Sequence, residues 1–171
     1  SDWRIKSVQL DIENIYSIPY TPSMNGVVER YMRTLGEGLS AMLCGVDKRL
    51  WCFAAEYFAR VSNSVYKKKV EDSPENVFRK KAHGGESGDC RVANLDRFRR
   101  FGSFTFVMKP RGHAKLESKR LKSVFLGFSK NNSGALCGYW EKDLRCLSGI
   151  RFATVESRDF KIYEDVLVKN I

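Results

Sequence analysis

Pro19-Tyr20-Thr21-Pro22-Ser23-Met24-Asn25-Gly26-Val27-Val28-Glu29-Arg30-Tyr31-Met32-Arg33-Thr34-Leu35 is the stretch from which the rest of the chain is read. Its two prolines and its Asn25-Gly26 pair mark a turn, because proline fixes φ and Asn-Gly accepts positive φ. A helix is predicted directly after it, over roughly Val27 to Leu43. At about 100° per residue, Val28, Tyr31, Met32, Leu35, Leu39, Met42 and Leu43 gather on one side, the pattern of a buried stripe. Glu29 lies just off the edge of that stripe, with Arg33 and Ser40 along the same border. Upstream, Ile15 to Tyr20 reads as a short strand running into the turn.

Downstream, a second amphipathic helix is predicted from about Arg49 to Tyr66, with Leu50, Ala54, Tyr57, Phe58, Val61 and Val65 inward. Ser73-Pro74-Glu75 starts a third, with Ser73 as N-cap and Pro74 in the first helical position. Helical spacing assigns Tyr31, Trp51, Tyr57, Phe58 and Phe78 to the core. His83-Gly-Gly-Glu-Ser-Gly-Asp89 reads as a linker and as the domain boundary. Beyond it the pattern becomes β: Phe104 to Met108 alternates, Val124 to Phe128 is an apolar run, and Ile150 to Thr154 alternates again. Glycines 112, 127, 134, 138 and 149 mark turns or bends, and several short strands in so few residues suggest a small barrel. The expected fold is therefore α+β, with a mainly helical domain over 1–82, a linker over 83–90 and a basic β-barrel over 91–171. No internal repeat is present.

The chain has 171 residues and a formal net charge of +10, unevenly placed. Residues 1–66 carry seven basic and seven acidic side chains. In 89–122, ten basic side chains face only Asp89, Asp96 and Glu117, and Lys67-Lys68-Lys69 with Arg79-Lys80-Lys81 form a smaller cluster. Clustered charge of this kind is the footprint of a polyanion-binding surface. Arg97, Arg99 and Arg100 interleave with Phe98 and Phe101, so the rings are expected to pack inward while the guanidinium groups face phosphate. Lys109, Arg111, Lys115, Lys119, Arg120 and Lys122 make a second ridge around a loop at Pro110 to Gly112. The five cysteines are scattered and form no CxxC pair, so metal-site spacing is absent. They fit reduced thiols inside a cell, in the nucleus or in an organelle that contains ribonucleoprotein. No apolar run is long enough to span a membrane, and Ser1 to Lys6 lack the apolar run of a secretory signal.

Two segments resemble the copia class of retrotransposon integrases. Pro19 to Leu35 is similar to that family's PYTPxxNGxxER…RT motif. Leu95 to Glu164 resembles it more loosely, through Arg100-Phe101-Gly102, Lys115-Leu116 with Ser118-Lys119, Val124-Phe125-Leu126-Gly127-Phe128 and Ser157-Arg158-Asp159. Between them, Leu50-Trp51 with Ala54, and Ser73-Pro74 with Val77-Phe78, resemble two further family stretches. The resemblance implies the end of an RNase H-like catalytic core followed by an SH3-like region. It implies a polynucleotidyl transferase whose two aspartates and one glutamate hold Mg²⁺ or Mn²⁺ for phosphoryl transfer. On this resemblance Glu29 stands at the catalytic, metal-binding glutamate, and Arg33, one turn on, at a phosphate-contacting position.

Departures from the family pattern bear on activity. The second aspartate of the family lies farther upstream of its glutamate than Asp2 or Asp11 lies from Glu29. Trp3-Arg4 also stand where the family has Asn-Gly, and the family's first aspartate belongs to a strand preceding Ser1. This chain is therefore expected not to catalyse strand transfer alone and to need no cofactor of its own. Three roles remain open: an integrase fragment whose site is completed elsewhere, a recruited non-catalytic RNA-binding protein of a large ribonucleoprotein, and a protein-interaction domain. The nucleic acid is DNA on the first reading and RNA on the second, and on the third other proteins cover the first helix.

Overall fold

A computed structural model of the chain describes residues 2–13, 18–19, 25–82, 95–108, 118–129, 134–142 and 150–168. Contacts divide the chain into two compact units, Ser1–Gly36 and Glu37–Ile171. The fold is α+β, with helices and one five-stranded antiparallel sheet.

The first unit holds α1 (Asp2–Gln9) and the beginning of α2 (Gly26–Met42). No periodicity over Asp2–Gln9 marked α1 in advance. It ends at Asp11, whose φ is 53°, with the Asp11 N–H donating to Val8 O (3.2 Å) and the Ile12 N–H to Ser7 O (2.9 Å). This is a left-handed helix stop, so Asp11 terminates a helix here. The strand read over 15–20 lies outside the described residues except at 18 and 19, which are not strand. The buried stripe of α2 is corrected: Val28 is 60% exposed and Met32 57%, and only Leu39, Met42 and Leu43, at the end, pack against the core. Helical periodicity defines an apolar side, but not what covers it.

In the second unit, Asp47 caps a 3₁₀ turn at Lys48–Leu50. The Arg49 N–H donates to Asp47 Oδ1 at 2.9 Å, and its guanidinium lies 2.6 Å from Oδ2. These hydrogen bonds from Arg49 hold the Asp47 carboxyl below its usual range. The turn feeds α3 (Trp51–Ser64), which buries Ala54, Tyr57 and Ser64. Gly38, inside α2, is a poor helix former by propensity. A side chain there would collide with the Phe58 ring, so the glycine lets α2 approach α3. The start of α4 (Pro74–Ala82) is as read: the Asn76 N–H donates to Ser73 Oγ at 3.2 Å. Asp72 accepts from Lys80 Nζ (2.7 Å), Asn76 Nδ2 (3.0 Å) and the Ser73 N–H (2.7 Å), which lowers its carboxyl to about 2. Tyr57 and Phe58 are inward as expected. The core assignment fails for Tyr31, Trp51 and Phe78, all exposed, because helical spacing groups residues on one side without fixing which side meets the core.

The strands are β1 (Ser103–Met108), β2 (Arg120–Phe128), β3 (Ala135–Lys142), β4 (Ile150–Ser157) and β5 (Phe160–Leu167), in the order β4-β3-β2-β1-β5. The first, second and fourth cover the runs that the sequence marked; β3 and β5 were not read. Successive strands pair through β4, and β5 then returns to β1 at the far edge. In a flat sheet those edges would stand about 19 Å apart, since neighbouring strands are spaced about 4.8 Å. The step from Ser157 to Phe160 spans at most about 11 Å. The sheet must therefore curl strongly, although its edges do not pair and it does not close. Ser157 holds the corner by accepting the Asp159 N–H (3.2 Å) and donating to Asp159 O (2.9 Å), while the Met108 N–H reaches Asp159 O at 3.4 Å.

The core joins helix to sheet: Leu50, Ala54 and Tyr57 cluster with Phe101, Val107, Val124, Phe125, Leu126, Ala135 and Cys137. The end of α2 and α3 thus share a core with the strands, and the expected linker 83–90 lies outside the described residues. Gly127 sits at an irregularity of β2 with φ 141°, and a Cβ there would stand 3.1 Å from the Tyr57 ring. The Tyr57 hydroxyl donates to Arg99 O (2.6 Å) and accepts the Arg99 N–H (3.0 Å), and burial pushes its pKa up. Tyr57→Phe should lower unfolding free energy by about 1–3 kcal/mol, measured by denaturant titration, because it leaves two part-buried backbone groups unmatched. Burial also pushes the Cys137 thiol up to about 12, whereas Cys44 and Cys52 are exposed. Peptide mapping after iodoacetamide at mildly alkaline pH should therefore find the exposed pair modified and Cys137 intact until the protein is unfolded.

Candidate nucleic-acid interface

The arginine block begins at a 3₁₀ turn, Leu95–Arg97, closed by the Phe98 N–H on Leu95 O at 3.0 Å. Tyr57 then organises the segment. Its ring meets Phe98 and Phe101 at 6.1 Å each and Phe125 at 5.7 Å, while its hydroxyl grips the Arg99 backbone. Phe101 is buried and Phe98 half-buried, so Arg97, Arg99 and Arg100 are turned outward, the alternation expected from the sequence. Their situations differ. The Arg97 guanidinium lies 5.8 Å from the centroid of the Phe128 ring, a cation–π contact that leaves its donors facing out. Arg99 is engaged within the chain: it bonds to Asp96 O and Phe98 O and lies 3.4 Å from Glu164. Arg100 is exposed, and its carbonyl accepts from Ser103 Oγ at 2.8 Å.

The second group lies on the sheet. Side chains of directly paired residues share a face, so the register alone places them. Phe106 pairs with Lys122 on β2 and with Lys161 on β5; Phe104 pairs with Val124 and Tyr163; Met108 pairs with Arg120. One face of β5-β1-β2 therefore carries a row Lys161–Phe106–Lys122 beside a row Tyr163–Phe104–Val124. Phe104 and Phe106 meet edge to face at 5.0 Å, Phe106 and Tyr163 at 6.0 Å, and the Lys161 ammonium lies 5.2 Å from the Tyr163 ring centroid. Phe104 and Phe106 were expected inside; both are only half-buried, and Tyr163 is 37% exposed. Lys119, Arg120 and Lys122 are exposed, and Arg120 lies 4.0 Å from Asp159. Lys161 and Tyr163 escaped the sequence reading. Their alternation in β5 was visible, but their place beside β1 follows only from the crossover.

Lys109, Arg111 and Lys115 lie outside the described residues. The smaller basic cluster is largely used internally: Arg79 pairs with Glu75 (2.5 Å), Lys80 with Asp72 (2.7 Å), and Lys67 donates to Ser62 Oγ (3.3 Å). In the first unit, Glu29 and Arg33 are both exposed on α2 and form no ion pair with each other. Among the described residues, no group of three or more His, Cys, Asp or Glu side chains could hold a metal ion. No described helix is long and apolar enough to cross a membrane. No family model matches the chain.

Proposed function

We propose that this chain binds nucleic acid, chiefly through phosphates, and that it is a remnant or fragment of a copia-type integrase without strand-transfer activity of its own. The observation that carries the binding role is the outward display of Arg97 and Arg100 on an aromatic base at one end of β2, with Lys119, Arg120 and Lys122 exposed at the other end of that strand. Outward guanidinium groups suit phosphate, and clustered charge of one sign adds long-range attraction. The strand order supports the finer fold reading. A curled five-stranded meander whose last strand returns to pair with the first is what an SH3-like barrel requires. The motif around Glu29 supports the RNase H-like ancestry of the helical part. A role in a ribonucleoprotein is the alternative that needs no catalysis. The exposed apolar side chains Val28, Tyr31 and Met32 on α2 favour an additional protein contact there.

Binding through phosphates releases counterions, so log affinity should fall linearly with log salt. Replacing Arg97, Arg99 and Arg100 together by Ala should flatten that slope by about two units on duplex DNA. Arg97 and Arg100 account for the change, since Arg99 is held within the chain. The loss should be similar across sequences, and titrations of DNA and RNA in parallel would assign the partner. An unchanged slope would remove these arginines from the interface. With Mg²⁺ or Mn²⁺ and a pre-processed duplex end, purified protein should yield no joined product. Product that disappears in Glu29→Gln would restore the enzyme reading.

A further inference from the structure

We infer that the β5-β1-β2 face is a stacking platform for unpaired bases, so that the preferred ligand of this chain is single-stranded nucleic acid. The inference rests on the nucleic-acid reading above and adds the form of strand. Phosphate binding explains the basic side chains but not the rings set among them. A duplex keeps its bases stacked on one another and offers a protein mainly phosphates and groove edges. Half-exposed rings on a sheet gain little from such a ligand. An unpaired base has a free π face, and aromatic side chains on a sheet flanked by cations are the means by which single strands are held.

Three observations converge on this face. Phe106 stands between Lys122 and Lys161 at directly paired positions, so a lysine flanks it on each neighbouring strand, with Cβ atoms about 5 Å apart. Neither lysine pairs with a carboxylate among the described residues: Lys122 is exposed and Lys161 rests over the Tyr163 ring, which leaves both charges able to meet phosphate. The rings of Phe104, Phe106 and Tyr163 form one continuous apolar patch, with Met108 at its end beside Arg120. A protein partner would have to bring acidic groups at the spacing of these cations. A single strand brings phosphates and rings together in every nucleotide. Sheet stabilisation alone would account for the cross-strand pairing of Phe104 with Tyr163. It does not account for the lysines on both sides of Phe106.

The test is a titration of the full chain with oligo-thymidylate, oligo-uridylate and a blunt DNA duplex, comparing wild type with Phe106→Leu, Tyr163→Leu and the double variant. Leucine keeps an apolar side chain in the sheet while removing the π face. Each ring is expected to account for roughly tenfold in single-strand affinity, with the salt slope and duplex binding unchanged. Phe106→Tyr should bind as wild type. Equal weakening on duplex and single strand, or no weakening at all, would overturn the inference. Should the double variant fail to fold, Tyr163→Trp gives a second reading. Its emission should be quenched by oligo-thymidylate and not by duplex, and equal quenching by both, or none by either, counts against stacking. A wild type that binds neither ligand would overturn the nucleic-acid reading itself. A wild type that binds duplex as tightly as single strand, with unaltered leucine variants, would leave phosphate binding standing and remove only the platform.

Discussion

The Tyr57 side chain reaches from α3 into the sheet and holds both the N–H and the carbonyl of Arg99 through one hydroxyl. Its ring meanwhile fills the space among Phe98, Phe101 and Phe125 and lies over the backbone of Gly127. One residue thus ties a helix, the segment leading into β1, and the middle of β2 to a common point. The display of arginines follows from it. With Phe98 and Phe101 drawn toward Tyr57, the residues between and around them must face outward. An exposed run of arginines is therefore a consequence of core packing, and their display and the stability of the unit share a support.

A second constraint acts at the opposite side of the sheet, where two residues connect strands on opposite edges. That short corner compels the curl, and Ser157 and Asp159 fasten it through reciprocal hydrogen bonds. The curl brings β5 beside β1 and thereby sets Lys161 and Tyr163 next to Phe106 and Phe104. Basic and aromatic residues from three separate parts of the chain meet on one face for this reason. In contrast, two cations of the cluster around 67–81, Arg79 and Lys80, are paired with the carboxylates of Glu75 and Asp72. Equal charge in sequence does not mean equal charge offered to a ligand.

Local chemistry was legible in the residues. Ser73 and Pro74 announced α4, Tyr57 and Ala54 announced the inner side of α3, and the alternation from Phe104 to Met108 announced β1. The outward turn of Arg97 and Arg100 beside inward rings was likewise written in their interleaving with phenylalanines. Each of these depends on neighbours a few residues away, for which periodicity and capping are sufficient guides. The family motif around Glu29 suggested a lineage, and the activity associated with it needs groups that a local pattern cannot supply.

Tertiary structure alone decided whether an apolar side is covered. Val28 and Met32 carry the same helical signal as Leu39 and Met42, yet only the latter pair meets the core. Tertiary structure also decided strand partners, because β5 could have extended the meander beside β4, and the two-residue corner with its fastened Ser157 sends it to β1 instead. The composition and order of the residues marked α2, α3 and α4, three of the five strands and the sign of the surface. The pairing of distant strands determined which cations and which rings share a face. That pairing depends on hydrogen bonds and packing between segments that lie more than fifty residues apart, beyond the reach of any local pattern.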